Sequence, residues 1–509
     1  MAEKEKNQIK LGAILSYVSI IVNIVAGLLY TPWMVDQIGG DDYGLFTIVN
    51  SLITLFMVDF GLSAATSRYL SKYRAEGNEE KVQSFLGAVY KLYFIIDLII
   101  FAVLAVLYCC LDVMYDYPPA QMERLKVVYI IAGLFSVVNF PFVTFNGILT
   151  AYEKFIPLKV ADLLYRVLLV GTTIVALVLG GGLYAMVSIH AVVGLVVVGF
   201  KYIVIKKSTP VKTSFKETEK GIYKEIFGFS VWVTVSALAS RLVFNITPSI
   251  LGMFVSATEV GAFGIVSTIE GYVYMVTTAI NGMFMPKIAR IYAHTDTEED
   301  IMPLMMRVGK FQYALNGLLI VGFAIVGQSF LQLWLPDEYL MFKNEIYLGI
   351  LAVIVPGIFF NSLQIANTAM TVDNKVKWNA LVSVVTGVVN VVLCVILSHF
   401  FGMIGAAGAI CISYFLRVIV LNVIFHKKMH FNMPLFMRKV YLRFSIPALL
   451  ALGAGLVMNY FITSPSFIVF LIKGVAIVVV YLLFTFLFGL NKQEKNATFG
   501  FVKNVLKRK

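Results

Sequence analysis

The sequence predicts an all-α integral membrane protein of about fourteen transmembrane helices, arranged as two pseudo-symmetric six-helix lobes followed by two further helices. Three observations predict it. Apolar residues make up 59% of the 509 and charged residues only 14%, against about 25% charged in an average soluble chain. The apolar residues fall into runs near the roughly 20 residues that carry a helix across a 30 Å hydrocarbon core. Lys and Arg then collect in every second connection between those runs, which is the charge pattern of a chain threaded back and forth through a bilayer.

The elements follow in order. A polar, basic start, Met1 to Lys10, leads into an apolar run from Leu11 to about Val35. That run is too long for a signal core and no small-residue cleavage site follows it, so it is read as a retained first span. Further spans are expected near 44–66, 83–110, 126–150, 157–179, 183–205, 227–251, 259–286, 309–335, 346–370, 378–398, 403–426, 441–462 and 466–490. Basic connections include Arg68 to Lys81, Lys206 to Lys224, Lys287 to Arg307 and Lys427 to Lys439, and the tail from Lys492 is basic as well. The alternate connections carry almost no Lys or Arg, and Asp36 to Tyr43 is acidic. The basic loops and both termini are therefore expected in the cytoplasm, with the chain multi-pass in the cytoplasmic membrane. The net charge of +12 reads as orientation and contact with anionic lipid rather than with nucleic acid. Phe499, Val502, Val505 and Leu506 share one side of the tail, which predicts a short helix on that lipid surface.

Internal echoes suggest two copies of one design. Tyr43-Gly44-Leu45-Phe46-Thr47-Ile48-Val49 returns as Val260-Gly261-Ala262-Phe263-Gly264-Ile265-Val266, and Gly182-Leu183-Tyr184-Ala185-Met186 returns as Gly402-Met403-Ile404-Gly405-Ala406. Each opens a helix at the same place in a six-helix set. Six is even, so both copies enter from the same side and form a parallel repeat. The expected divisions are an N-terminal lobe at 1–205, a cytoplasmic linker at 206–226, a C-terminal lobe at 227–426, and two extra helices with a basic tail at 427–509.

A charge near the bilayer centre costs roughly 2.5–3.5 kcal/mol on insertion scales, so a retained one is expected to face protein or a watery cavity. Ser16, Ser19, Asn23, Gly27 and Tyr30 line one face of span 1, and Ser230, Thr234, Arg241, Asn245 and Pro248 line one face of span 7. Span 8 adds Glu270, Tyr274, Thr277 and Asn281. Matching stripes on the first helix of each half predict a hydrated cleft; for each neutral residue the alternative is a hydrogen bond to a neighbouring helix. Arg241 lies too deep to snorkel, and Glu270 is a candidate partner for it. Lys91 has no acidic partner at helical spacing, whereas Arg166 follows Asp162 by one turn, so a structural ion pair stands beside a binding role. Asp97 and Arg417 are further intramembrane charges, and Asp59 fits a helix-end or loop-anchoring role.

Asp59-Phe60-Gly61-Leu62-Ser63, Arg68-Tyr69 and Ala75-Glu76-Gly77-Asn78, following Tyr43-Gly44-Leu45-Phe46, resemble the polysaccharide and O-antigen flippases (Wzx type) of the multidrug, oligosaccharidyl-lipid and polysaccharide exporter superfamily. The resemblance extends over the chain in span count, in the doubled six-helix plan and in the Gly147 to Lys154 turn. It implies movement of an undecaprenyl-diphosphate-linked oligosaccharide from the cytoplasmic to the outer leaflet by rocking of two lobes about a cationic cavity. Substrate contacts would come from Arg241, Arg166, Lys91, Glu270, Asn23, Asn245 and Asn281, and coupling or gating from Asp59, Asp97 and Arg417. Partners would be the lipid-linked oligosaccharide and membrane lipids, with glycan assembly proteins left open.

A cation-coupled multidrug exporter and a cell-wall precursor lipid flippase of the same superfamily are the alternatives. A membrane glycosyltransferase or polymerase fits less well, because the longest outer connections, around Leu111 to Leu125 and Pro336 to Glu345, leave little room for a catalytic loop. Gly194 to Lys201 lacks the Gly-Lys-Ser/Thr ending of a phosphate loop. Cys109, Cys110, Cys394 and Cys411 lie in apolar spans and suggest neither disulfides nor a metal. No catalytic residue, metal or cofactor is expected.

Overall fold

The computed structural model describes residues 2–215, 221–279, 284–294, 301–373, 375–462 and 466–496. They form helices joined by short turns, with no strand among the described residues. In chain order these are α1 (Ala2–Ile38), α2 (Gly40–Phe56), α3 (Leu62–Ala75), α4 (Glu79–Met114), α5 (Pro119–Asn139), α6 (Thr144–Ala151), α7 (Phe155–Val178), α8 (Leu183–Ser208), α9 (Ile222–Phe244) and α10 (Thr247–Leu251). They continue as α11 (Ala257–Thr278), α12 (Met285–His294), α13 (Ile301–Trp334), α14 (Lys343–Ser362), α15 (Gln364–Val372), α16 (Val376–Lys428), α17 (Met433–Phe436), α18 (Arg443–Phe461) and α19 (Phe467–Phe484). Asn281, most of the basic tail from residue 497 and part of the 206–226 linker lie outside the described residues.

Among the described residues, eleven helical segments are long and apolar enough to cross a membrane by length and composition. Three places account for the difference from the fourteen spans expected. The helix α2 has only 17 residues, α9 contributes a shorter apolar stretch, Thr234–Phe244, and α16 runs for 53 residues through a break at Gly402. At 1.5 Å per residue α16 is roughly 80 Å of helix, more than twice a hydrocarbon core. The break has φ 53 and ψ −133, a backbone setting open to glycine and closed to most side chains.

The helices also break where the sequence pattern alone predicts continuous spans. Span 2 was expected to run to residue 66, but α2 stops at Phe56 and α3 starts at Leu62. Phe60 (φ 52) and Gly61 (φ 67) both adopt left-handed backbone, which no α-helix accommodates. The fourth span yields to a tight 3-10 turn at Phe140–Val143 around Pro141 before α6 resumes. The seventh breaks at Asn245 and Ile246, and the tenth at Leu363.

Both sequence echoes occupy matching places. Tyr43-Gly44 and Val260-Gly261 are each the fourth and fifth residues of their helices, α2 and α11. Gly182 is the N-cap of α8, and Gly402 is the break from which the second part of α16 departs. Gly44 has its own reason to be glycine, since a Cβ there would collide with the carbonyl of Ala257.

Packing sorts the chain into two compact units, one of Met1–Ile265 with Ser383–Ala409, the other of Val266–Val382 with Ile410–Lys509. The first buries Leu45, Ile48, Phe85, Leu86, Tyr93 and Tyr115 completely or nearly so. In the second, Tyr313, Phe425, Phe431, Phe436 and Phe444 build one core. A smaller one joins Val321 and Ile325 of α13 to Ala451 of α18 and to Ile477 and Tyr481 of α19. Leu471, Val475 and Leu482 on that same α19 stay exposed. Helices whose buried and exposed faces are equally apolar are what a lipid solvent selects, because hydrocarbon is as favourable for Leu as a protein core is.

Candidate functional site

In the first unit the polar residues meet at helix breaks. Where α9 gives way to α10, the carbonyls of Leu242 and Val243 lose their helical partners, and the Asn390 amide from α16 donates to both at 3.0 and 3.1 Å. Ser51 of α2 donates to the Asn245 carbonyl. The Ser249 hydroxyl lies 2.6 Å from that of Ser51, and both side chains are buried. Arg241, in the last turn of α9, donates from Nη1 to the carbonyl oxygen of Thr54, near the end of α2. A guanidinium has five N–H donors; a single carbonyl leaves most of them for another acceptor.

Arg166 of α7 and Asn23 of α1 come together: Arg166 Nη2 donates to the Asn23 carbonyl at 3.4 Å, and the Asn23 amide donates back along its own helix to Ser19 at 2.9 Å. Arg166 Nε is buried with no hydrogen-bond acceptor among the described residues. Asp162, the alternative partner suggested by helical spacing, instead pairs with Lys159 at 3.2 Å. The reason is reach, since Lys159 lies on the same face three residues before Asp162 and competes for it. Tyr30 and His190 lie within electrostatic range of Arg166.

Lys201 of α8 belongs in the same description, with Nζ 2.9 Å from Asn146 Oδ1 of α6. Sequence reasoning treated it only as a false phosphate loop, although a lysine inside an apolar span is itself a signal. Asn390 and Ser51 were missed as well, because nothing local marks them. Among the described residues, Lys91, half-buried on α4, forms no ion pair, and the buried Asp97 Oδ1 on the same helix has no hydrogen-bond partner. Asp59 accepts the Ser63 N–H at 3.1 Å and the Tyr93 hydroxyl, so its carboxylate caps α3 and ties the α2–α3 turn to α4.

The second unit holds a neutral network beside one carboxylate. Asn361 of α14 donates to Asn316 Oδ1 at 3.1 Å and to Thr277 Oγ1 at 3.2 Å, while Gln312 donates to the Thr277 carbonyl at 2.8 Å. Asn316 and Asn361 line a cavity of about 20 Å³ together with Glu270, Tyr274 and Tyr414, space for roughly one water. Arg417 is buried with its guanidinium 4.8 Å from the centre of the Phe360 ring, a cation–π distance. Arg241 belongs to the first unit and Glu270 to the second.

The arrangement in the first unit is a set of cations inside apolar helices, held by carbonyl and amide oxygens rather than by carboxylates. The family model described as polysaccharide biosynthesis protein matches residues 9–292, more than half of the chain. The chain belongs to this family. A relative of matching length, the uncharacterized membrane protein EpsK of Bacillus subtilis (strain 168), is 22% identical over 498 residues, covering 94% of each chain. Among solved structures, the lipid II flippase MurJ in an inward closed conformation superposes with TM-score 0.71 at 15% identity, covering 93% of this chain and 98% of that one. An inward-facing multidrug resistance MATE transporter of the MOP superfamily gives 0.66 at 14% identity, covering 84% and 99%. The fold is thus shared with these solved membrane proteins, and the chain is a multi-pass membrane protein of the polysaccharide biosynthesis family.

Proposed function

We propose that the chain carries an oligosaccharide linked to undecaprenyl diphosphate across the cytoplasmic membrane, by alternating access of two six-helix lobes, residues 1–205 and 227–426, with both termini cytoplasmic. It acts as a transporter and not as an enzyme, and glycan assembly proteins supply its substrate and take its product. One observation carries this reading. Arg166, Arg241 and Lys201 sit within apolar helices, and none forms an ion pair with a carboxylate among the described residues. Cations kept in a low-dielectric setting without an acidic partner are suited to an anion that arrives and leaves, and guanidinium matches phosphate oxygens two at a time. Lys91 adds charge on the same unit. Asn23, Asn245 and Glu270, with Asn281, supply exchangeable hydrogen bonds to sugar hydroxyls, while Asp97 and Arg417 serve coupling or gating.

The test is substitution at Arg241 with surface polysaccharide and membrane abundance both measured. Arg241→Ala abolishes export at normal abundance, and Arg241→Lys, which keeps the charge but loses the planar fork, retains part of it. If Arg241 serves only to neutralise Glu270, Arg241→Ala/Glu270→Gln restores export. Wild-type export by that double variant would overturn the diphosphate assignment.

A further inference from the structure

Two cavities in the first unit meet end to end. One, of about 270 Å³, is an apolar groove between α4 and α5 walled by Phe101, Leu104, Ala105, Gly133, Leu134 and Val137. The other, of about 540 Å³, opens where α4 ends and α5 begins, with Tyr108, Asp112, Asp116, Tyr117, Glu123 and Lys126 in its lining. Tyr108 and Ile130 belong to both. The α4 wall of the groove lies about 8 to 20 Å below the end of that helix at 1.5 Å per residue, the depth of one leaflet. The groove exists because two positions lack bulk: Ala105 is exposed, and a Cβ on Gly133 would meet only Leu104 Cδ1, at 4.0 Å.

The polar end is built rather than loose. Tyr115 is fully buried and donates to the Ser249 carbonyl at 3.2 Å. Tyr117 stacks on it at 5.7 Å and donates to the Gly252 carbonyl at 3.0 Å. Below, the Tyr129 hydroxyl joins α5 to the Leu104 carbonyl at 3.0 Å. Lys126 is committed to Asp112 at 2.6 Å, which leaves Asp116 and Glu123 exposed and without an ion partner among the described residues. No three potential ligands among the described residues are arranged to hold a metal ion. The pocket therefore has net negative charge, which disfavours a phosphate headgroup. Its carboxylates are acceptors for hydroxyl donors, and its tyrosines offer flat rings with polar tips.

We propose that this composite site takes a neutral glycolipid, with its acyl or prenyl chain along the α4–α5 groove and its sugar among Tyr108, Tyr117, Asp116 and Glu123. The choice of the outer leaflet rests on the orientation proposed above; the site itself does not depend on the transport reading. It is chemically opposite to the cationic positions, and so distinguishes an uncharged sugar head from a diphosphate.

The experiment uses the full chain in phosphatidylcholine nanodiscs and three lipids bearing the same mid-chain diazirine: glucosyl-diacylglycerol, phosphatidylglycerol and phosphatidylethanolamine. The glucosyl probe labels residues 101–109 and 129–137 about tenfold more than phosphatidylglycerol does, the ratio expected of one hydrogen bond to a charged acceptor at the low end of its range. Ala105→Phe, which fills the groove from a lipid-exposed position, removes that labelling. Asp116→Asn/Glu123→Gln removes the preference for the sugar head while the groove still accepts tails. Equal labelling by phosphatidylglycerol, labelling unchanged by both variants, or stronger labelling by phosphatidylethanolamine would each overturn the proposal. Because binding is read without export, failure of the transport reading is a separate result.

Discussion

Asp59 offers a sharp test of how the α2–α3 turn is held. One carboxylate oxygen receives the Ser63 N–H at 3.1 Å and the other the hydroxyl of Tyr93, a side chain with no exposed surface. Tyr93 also packs edge-on against Phe140, at 5.3 Å, and Phe60 meets the same ring from the turn. Tyr93→Phe removes one hydrogen bond to a charged acceptor, worth about 1.5–3 kcal/mol. Asp59→Ala removes that bond and the helix cap, about 1 kcal/mol more, and takes from a buried hydroxyl its acceptor, so the total is about 3–5 kcal/mol. In the Asp59→Ala background Tyr93→Phe then costs nothing further or recovers stability, giving a coupling energy of about 1.5–3 kcal/mol. The assay is reversible unfolding of the purified protein in detergent for the wild type, the two single variants and the double variant. Additivity within about 0.5 kcal/mol would refute the carboxylate–hydroxyl link.

Three further outcomes are expected. Gly44→Ala places a methyl against the Ala257 carbonyl and costs about 1–3 kcal/mol of stability through overpacking, while Gly171→Ala, with nothing within 4 Å of its Cβ, gains about 0.5–1 kcal/mol; reversal of that order in thermal melts would contradict the packing. Cysteines at Lys212 and Asn496 stay shielded from an impermeant thiol reagent in intact cells, whereas one at exposed Ala120 reacts; labelling at Lys212 without permeabilisation would invert the orientation. Burial is the largest single influence on the Glu494 carboxyl and pushes it up, but the Asn491 N–H and the Lys310 ammonium 2.6 Å away, with Arg443, together hold it below its ordinary value. A depressed folded-state value means the contribution is full above the unfolded carboxylate's pKa, about 4.3, and is lost as pH falls through the folded value. Hydrogen exchange at 491–496, corrected for its intrinsic pH dependence, is therefore flat from pH 6 to 8 and accelerates only in acid.

Composition and charge placement were enough to place this chain in a membrane, because the bilayer imposes a length and a polarity that each apolar run must satisfy by itself. The Tyr43 and Val260 echoes were legible for a related reason: their residues open two helices at the same register, a local property. Gly61 and Pro141 are visible as residues, yet whether each ends a helix depends on what receives the freed backbone groups. At Gly61 the receiver is close by, since Asp59 takes the Ser63 N–H, but at the α9–α10 break it comes from far along the chain, as Asn390 does for Leu242 and Val243. Periodicity also gives the face of a helix without naming its neighbour. Spacing offered Asp162 to Arg166, but in the fold Asp162 takes Lys159 and Arg166 rests on the carbonyl of Asn23. Lys201 became a candidate only when α6 brought Asn146 to it. The sequence by itself determined the solvent and put cations inside apolar runs; the tertiary structure decided which of those cations are left without carboxylates among the described residues, since that depends on reach between helices that no local pattern encodes.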